Sequence, residues 1–409
     1  MEQISEASNK RIVILIPSLL GGGTERAVSI ISNELVKHNI EVHLLTLEQG
    51  SAYKVNAFII DTLSSWHGSK NFSRKKYFYI PAQLYRFIRH LRKNRIKIVL
   101  SFQQRANLIN IASKILYPHT AITNVRTTIS KAYSRNNYLS KIKYNINKLL
   151  AFSNIILCNS KGIRNDLIES FNLKADKIKV INNPYNIESI KSLSEESLET
   201  EHKEIFNSPV IINVGRFMTP KGQWHLLRAF KKVKAEIKDV KLVMLGEGWF
   251  EQYLRQLIKD LDLENSVYLL GFQKNPFKFV SKASIFVLSS LWEGFPNVIV
   301  EAMICGTPVI STDCRSGPRE ILAPNTDPLY ETTTIEYASY GVLVPVMDQT
   351  MYKAEDPLTL EESLFADAMI KLLKDEDMRH TYSVKGRKRA EDFKSDKIIK
   401  EYLDIILSE

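Results

Sequence analysis

Short apolar runs recur along this chain, each closed by a turn and followed by a stretch of helical periodicity, and that rhythm limits the folds open to it. Segments 10–17, 41–47, 96–102, 121–125, 155–159 and 178–181 read as buried strands. Between them, 24–38 carries Ala27, Ile30, Ile31 and Leu35 on one helical face. Segment 77–95 does the same with Leu84, Phe87, Ile88 and Leu91, and 138–150 with Leu139, Ile142, Ile146 and Leu149. Asn182-Asn183-Pro184 breaks the series, and a second one follows at 210–214, 241–245, 267–270, 285–290, 308–312 and 341–346. A chain of 409 residues can bury two such cores. The stretch 188–208 is acidic and poor in large apolar residues, so the linker is expected there, with domains at 1–187 and 209–385 and an end helix at 386–409.

Charge is distributed unevenly. The net charge is +11, yet residues 62–165 hold 20 Lys and Arg and no Asp or Glu, which leaves the remainder net acidic. A region so polarised suits an anionic partner. Arg86, Arg89, Arg92 and Lys93, with Tyr77, Phe78, Tyr79 and Tyr138 nearby, fit an anionic membrane surface. No nucleic-acid recognition motif accompanies the charge, so no nucleic-acid partner is expected. No apolar run approaches the roughly 18 residues of a membrane span, and the first residues lack the basic start of a signal peptide. Cys158, Cys305 and Cys314 are scattered and odd in number, which favours reduced thiols in a cytosol over disulfides or zinc.

Chemistry concentrates in 291–322. Glu293 and Glu301 bracket Gly294-Phe295-Pro296-Asn297 and the apolar Val298-Ile299-Val300. Asn297 is expected as the N-cap of a helix whose free amides would attract a phosphate. Glu301, one turn in, could accept hydrogen bonds from a ribose diol. Arg216 and Lys221 share a strand-to-helix loop after Gly215, where two fixed cations would neutralise a diphosphate. Gly21-Gly22-Gly23 opens the first helix after the first strand, in a form that suits either an anion or close packing. Gly246-Glu247-Gly248 reads as a turn. Asp260-Leu261-Asp262 and Asp375-Glu376-Asp377 have metal-binding spacing but read as charged helix ends, and the eight histidines form no ligand cluster, so no metal and no cofactor are expected.

The block Trp292-Glu293-Gly294-Phe295-Pro296-Asn297, with Ala302-Met303, Gly306-Thr307-Pro308-Val309-Ile310 and Gly317-Pro318-Arg319-Glu320-Ile321, resembles the donor-nucleotide site of retaining glycosyltransferases of family 4. The likeness is closest to bacterial enzymes that add N-acetylhexosamine or hexose to lipid-linked glycans. It implies the GT-B fold: α/β, two Rossmann-like domains facing across a cleft, with the end helix crossing back to the first. It implies that Glu301 holds the ribose hydroxyls, that Glu293 faces the donor sugar, and that the amides of Asn297 and Val298 bind the diphosphate with Arg216 and Lys221. Gly271-Phe272 would meet the nucleobase. Gly22 and Gly23 would lie under the donor, with Glu25 and Arg26 toward the acceptor. Arg126 stands where many relatives place a histidine near the donor sugar. The reaction implied is transfer from a UDP-sugar to a lipid-linked or surface-polysaccharide acceptor by a cytoplasmic enzyme peripheral to the inner membrane face. Two other classes fit the same residues: a GT-B nucleotide-sugar epimerase, which would turn over donor without acceptor, and a non-catalytic sugar-nucleotide-binding partner in an assembly complex. The segment 324–339 is polar and has no reading.

Overall fold

Runs of β-branched and leucine side chains flanked by turns give strands, and all twelve expected runs form them; most are buried on both faces, while the segments 178–180 and 267–269 are partly exposed. The computed structural model describes residues 10–51, 53–63, 79–132 and 138–409. A first seven-stranded sheet holds β1 (Arg11–Ile16), β2 (Glu41–Thr46), β3 (Ile59–Thr62), β4 (Ile98–Phe102), β5 (Thr120–Val125), β6 (Ile155–Cys158) and β7 (Ile178–Val180). Its order is β3-β2-β1-β4-β5-β6-β7, with every pair parallel. The second holds β8 (Val210–Val214), β9 (Lys241–Leu245), β10 (Val267–Leu269), β11 (Ile285–Leu288), β12 (Val309–Thr312), β13 (Glu336–Tyr337) and β14 (Val342–Val344). Its order is β10-β9-β8-β11-β12-β14-β13, parallel except for β13 on β14. Each sheet is therefore a Rossmann-like, doubly wound one. β3 and β13 were not among the expected strands: β13 has no apolar run, that of β3 is short (Ala57-Phe58-Ile59-Ile60), and both lie at a sheet edge and are partly exposed.

The chain divides into two units. One takes residues up to Tyr185 together with Phe393–Glu409, the other Asn186–Asp392. In the first, the helix Gly23–Lys37 lays Val28, Ile31 and Leu35 against Ile12, Ile14 and Leu44. The last helix, Ser395–Ser408, adds Ile398, Ile399, Tyr402, Ile405 and Ile406 to the same core. Lys10 Nζ donates to the carbonyls of Ile406 and Leu407 at 3.1 and 2.8 Å, a cation at a helix C-terminus. In the second, the helix Gln223–Glu236 buries Trp224, Leu227 and Phe230 against Ile211, Leu242 and Met244.

The stretch 188–208 is not an extended linker. Asn186 caps a helix, Ile187–Ser194, whose Ile187 and Ile190 are buried, and Leu198 and Ile205 are buried after it. Asn275 Nδ2 donates to Leu193 O at 2.7 Å and Ser281 Oγ to Ser194 O at 2.7 Å, so the stretch is packed into the second unit. Its few apolar residues are scattered among polar ones, which composition averaging hides. The end helix is likewise two helices: Glu376–Ala390 stays in the second unit, and only Ser395–Ser408 belongs to the first.

Ile80–Asn94 forms the basic helix, with Phe87, Ile88 and Leu91 buried and Tyr85, Arg86, Arg89, Arg92 and Lys93 exposed. Tyr77 and Phe78 lie outside the described residues, and for Tyr138 and Leu139 only the helical backbone of Tyr138–Ile146 is described. Among the described residues no helix is long and apolar enough to cross a membrane.

Arg126, at the end of β5, points its guanidinium at this framework. It donates to Tyr402 OH at 3.0 Å and to Asn183 Oδ1, and lies 4.9 Å over the Phe102 ring. Here it ties the last helix to the sheet. Tyr402→Phe keeps the ring in the core and removes only the hydroxyl. The expected cost is about 1.5–3 kcal/mol, the range for a hydrogen bond to a charged group, read as a lower midpoint of urea unfolding. An unchanged midpoint would mean that Asn183 and Phe102 hold the guanidinium without help from the tail.

Candidate active site

In a doubly wound sheet, ligands bind beyond the carboxyl ends of the strands where the strand order reverses. In the second unit that point lies between β8 and β11, and two loops meet there. The loop after β8 carries Gly215, Arg216 and Lys221, and the loop after β11 carries Ser290, Glu293 and Gly294. Lys221 Nζ donates to Glu293 Oε1 at 2.6 Å, and Ser290 Oγ donates to the same oxygen at 2.7 Å. The pair is mostly shielded, with 22% and 12% of the two side chains exposed. Gly222 makes the approach possible. It has φ +57, and a Cβ there would sit 2.3 Å from Ser289 O. Ser289 Oγ then donates to Lys221 O at 2.8 Å. Arg216 is exposed on the same loop, and its carbonyl accepts from Gln223 Nε2 at 3.2 Å.

The neighbouring loop after β9 packs on this one by bare backbone. A Cβ on Gly246, at φ +146, would lie 2.0 Å from Gly215 O, and one on Gly248 would lie 2.1 Å from Phe217 O. Glu247 between them accepts from the amide of Phe272 at 3.3 Å, while the Phe272 ring is exposed. The Gly-Glu-Gly turn thus links the Arg216 loop to Gly271-Phe272, a role its sequence did not announce.

The expected cap is displaced by one residue. The helix is Asn297–Cys305 with Pro296 at the cap position, so Asn297 is its first helical residue and makes no side-chain cap. Proline sets φ at −74 with an extended ψ of 96, which places the bend one residue early. Val298 lies in the first turn, and the carbonyl of Pro296 accepts from Ile299 N at 3.1 Å. Glu301 lies deeper than a surface carboxylate, only 7% exposed. Burial first, and then the Glu301 charge, push the Cys305 thiol up to about 12. Burial also drives the Cys314 thiol well up, with Glu293 adding to the shift and Lys221 opposing it. All three cysteines are buried, and none is in a disulfide.

The uninterpreted segment 324–339 turns out to brace the turn. Gly317, at φ +100, leaves no room for a Cβ, which would lie 2.4 Å from Pro296 Cδ and 2.9 Å from Phe295 Cα. Two residues on, Arg319 is buried and donates to Asp313 Oδ2 at 2.6 Å, Glu336 Oε2 at 2.6 Å and Thr326 Oγ1 at 3.0 Å. Asp313 also accepts from the Thr332 amide at 2.8 Å, and Tyr330 places its ring 4.8 Å from the guanidinium. Burial lifts the Asp313 carboxyl above its ordinary range against the pull of Arg319. Burial would lower the Arg319 guanidinium, but hydrogen bonds to Glu336 and Asp313 raise it.

The first unit has a similar meeting at its own reversal, between β1 and β4. Gly22 precedes the helix Gly23–Lys37, and Tyr53 OH bonds both the amide and the carbonyl of Gly22, at 3.3 and 3.2 Å. Glu25, in the first turn, accepts from Gln103 Nε2 at 3.0 Å across the reversal, and the Arg26 amide donates to Gly22 O at 3.1 Å. Gln103 holds φ 69 and ψ 157, a region that is essentially glycine's, so backbone strain is stored beside Glu25. Sequence reasoning passed over Gln103 because strain has no residue signature.

Asp375 caps the helix after it through Met378 N at 2.9 Å and pairs with Lys371 at 3.1 Å; Asp260 accepts from Gln256 at 2.8 Å. Both acidic pairs are thus helix-end features. Among the described residues no group of three or more His, Cys, Asp or Glu side chains could hold a metal ion.

Comparison with known proteins bears on this geometry. The family model for glycosyl transferases group 1 matches residues 194–339, and that for glycosyltransferase family 4 matches 21–189. An uncharacterized glycosyltransferase of Methanocaldococcus jannaschii is 38% identical over 336 residues, 80% of this chain and 82% of that protein. The N-acetylgalactosamine-N,N'-diacetylbacillosaminyl-diphospho-undecaprenol 4-alpha-N-acetylgalactosaminyltransferase of Campylobacter jejuni is 30% identical over 400 residues, 97% of this chain and 100% of that protein. Among solved structures, HepE of Anabaena in complex with UDP gives a TM-score of 0.74 at 18% identity over 98% of this chain and 100% of that one. Sucrose-phosphate synthase from Thermosynechococcus elongatus gives 0.77 at 16% identity, covering 98% of this chain and 100% of that chain.

Arg319→Met tests the brace. It leaves the two carboxylates of Asp313 and Glu336 without their shared cation, for an expected loss of about 3–5 kcal/mol in denaturant unfolding. Adding Asp313→Asn should recover part of that loss. A cost below about 1 kcal/mol for Arg319→Met alone would mean that the segment is not held by this residue.

Proposed function

Because the chain belongs to glycosyltransferase family 4, with the GT-B fold, we propose that it moves a hexose or N-acetylhexosamine from a UDP-sugar to a lipid-linked or surface-polysaccharide acceptor, with retention of anomeric configuration. The observation that carries this reading is the Lys221–Glu293 pair, 2.6 Å apart at the β8/β11 reversal and beside the helix that begins at Asn297. A donor diphosphate entering there would draw Lys221 from Glu293, and Arg216 on the same loop would take a second phosphate oxygen. The amides of Asn297 and Val298 face outward from a helix start and add a partial positive charge. Glu293, released from Lys221, would turn an acceptor oxygen toward the donor sugar, and Glu301 would hold the ribose diol. In the first unit, Gly22 and Gly23 would flank the sugar, with Glu25 and Arg26 toward the acceptor. The name of the Campylobacter relative, a lipid-linked N-acetylgalactosaminyltransferase, and UDP in the HepE complex support the choice of acceptor and nucleotide.

Charge stabilisation of the leaving diphosphate is assigned to Arg216, Lys221 and backbone amides, so the reaction needs neither a divalent metal nor a resident cofactor. Incubation with a panel of nucleotide sugars and a polyprenyl-diphosphate-linked glycan, read by mass spectrometry, should show one added sugar, and activity should persist in EDTA. Glu301→Gln should lower kcat/KM about 100-fold, as two hydrogen bonds to a charged group are weakened. Donor turnover with no acceptor product, or wild-type rates in this variant, would overturn the assignment.

We place the enzyme on the cytoplasmic membrane face through the helix Ile80–Asn94, where Arg86, Arg89, Arg92 and Lys93 are exposed. Each cation near an anionic surface contributes roughly 1 kcal/mol, decaying within a Debye length. Reversing all four to Glu should weaken binding to anionic vesicles and raise KM for a lipid-linked acceptor, with donor affinity unchanged. Equal flotation of variant and wild type would remove this helix from the docking face.

A further inference from the structure

The first unit exposes an apolar cluster at the rim opposite its glycine loop. Ile115 is 84% exposed, Phe152 65% and Leu116 57%, and Leu149 is also exposed. The first and third end the helix Gln104–Leu116, and Phe152 ends the 3₁₀ turn Asn147–Phe152. Hydrogen bonds bring them together. Lys114 Nζ donates to Phe152 O at 3.3 Å, and Arg92 Nη2 donates to Leu116 O at 3.0 Å. Lys97 Nζ donates to Pro118 O at 3.2 Å and Lys177 Nζ to Ala151 O at 3.1 Å. Four cations thus fix the carbonyls of two segment ends whose large apolar side chains face water. Large apolar side chains grouped on a rim in this way mark a surface that something covers.

The geometry points to an anionic lipid bilayer as that cover, with Ile115, Leu116 and Phe152 entering the acyl boundary and Arg92, Lys97, Lys114 and Lys177 at headgroup level. Apolar insertion combined with a ring of cations is how a protein without a span holds to such a surface. A second copy is a poor occupant, because two identical rims would oppose like charges in a stretch, 62–165, that contains no acid. The rim is continuous with the basic helix through Arg92, so it deepens the membrane-facing reading and rests on it for its occupant. It lies at the amino ends of β4, β5 and β6, whereas Gly22, Glu25 and Gln103 lie at the carboxyl edge, about one strand length or roughly 17–20 Å away.

That separation makes the test clean. Ile115→Ser, Leu116→Ser and Phe152→Ser are combined in the full chain, and flotation is measured with phosphatidylglycerol–phosphatidylethanolamine vesicles in low salt and in about 1 M salt, where the Debye length is about 3 Å. Wild type should keep a salt-resistant bound fraction, and the triple variant should lose it, with partition about tenfold lower in high salt. UDP binding should not change between them, so a failure of the donor site is scored apart from a failure of the rim. Phe152→Cys carrying an environment-sensitive dye gives a readout free of folding concerns, since the native cysteines are buried. Its emission should shift to the blue with anionic vesicles and be quenched from within the acyl phase. Complete release of wild type in high salt would overturn insertion while leaving the basic helix as the docking face. So would a triple variant that floats like wild type, a dye that stays in water, or a salt-stable dimer that the triple variant abolishes.

Discussion

Lys221 and Glu293, from two loops, pair through one carboxylate oxygen at the β8/β11 reversal, and most of the second unit's site is arranged to let them meet. The distance of 2.6 Å needs Gly222 to pass Ser289 without a Cβ, Gly246 and Gly248 to lie flat on the Gly215–Phe217 backbone, and Ser290 to fix the same carboxylate oxygen. An ion pair that is mostly shielded gains from Coulomb attraction roughly what it loses in hydration. Such a pair can therefore change partners at small net cost, provided the newcomer brings charge of the right sign. On the function proposed, a donor diphosphate would do so for Lys221, and a sugar hydroxyl would then satisfy Glu293. The same pair would respond far less to a neutral ligand, which fits a site that distinguishes a nucleotide sugar from the free sugar.

Much of this was legible in the residues. The strands were readable because parallel strands buried on both faces are continuous apolar runs, and Ile12 through Ile16 has no polar side chain to obscure it. Lys221, Glu293 and the Gly294-Phe295-Pro296 turn were readable because charged residues beside glycine and proline on strand-to-helix loops have few purely structural uses. Three things were not. The helix start at Asn297 depended on the ψ that Pro296 takes, an angle that its sequence does not announce. The packed segment 188–208 holds its place through single isoleucines and side-chain bonds to distant residues, and no local window weighs those. Gln103 carries its information in a backbone angle rather than in its chemistry.

Arg126 shows how a position can be recognised and its use still differ. A cation at the carboxyl end of β5 was expected on the acceptor or donor-sugar side; in the structure it donates to Tyr402 and Asn183 and lies over Phe102, while its buried Nε has no partner among the described residues. The partner that decides this is Tyr402, 276 residues away in sequence. A guanidinium in that place joins the last helix to the carboxyl edge of the first sheet, so the packing of the tail and the shape of that edge share one residue.

The brace built on Arg319 raises a related question, because a buried ionic cluster is a weak source of stability compared with apolar packing of equal volume. Its value lies in direction. A planar guanidinium that must satisfy Asp313, Glu336 and Thr326 at once has one orientation, whereas leucine or methionine would pack in several. The backbone at Gly317 has no such tolerance, since it touches Pro296 and Phe295 where any Cβ would overlap. Fixing Arg319 therefore fixes the loop, and the loop fixes the turn that presents Asn297 and Val298. Segment 324–339 supplies Glu336, Thr326 and Tyr330 to this arrangement and β13 to the sheet edge. A polar insertion with no apolar pattern of its own thus has a reason to be ordered: its side chains complete a hydrogen-bonding set that the site's own residues leave open.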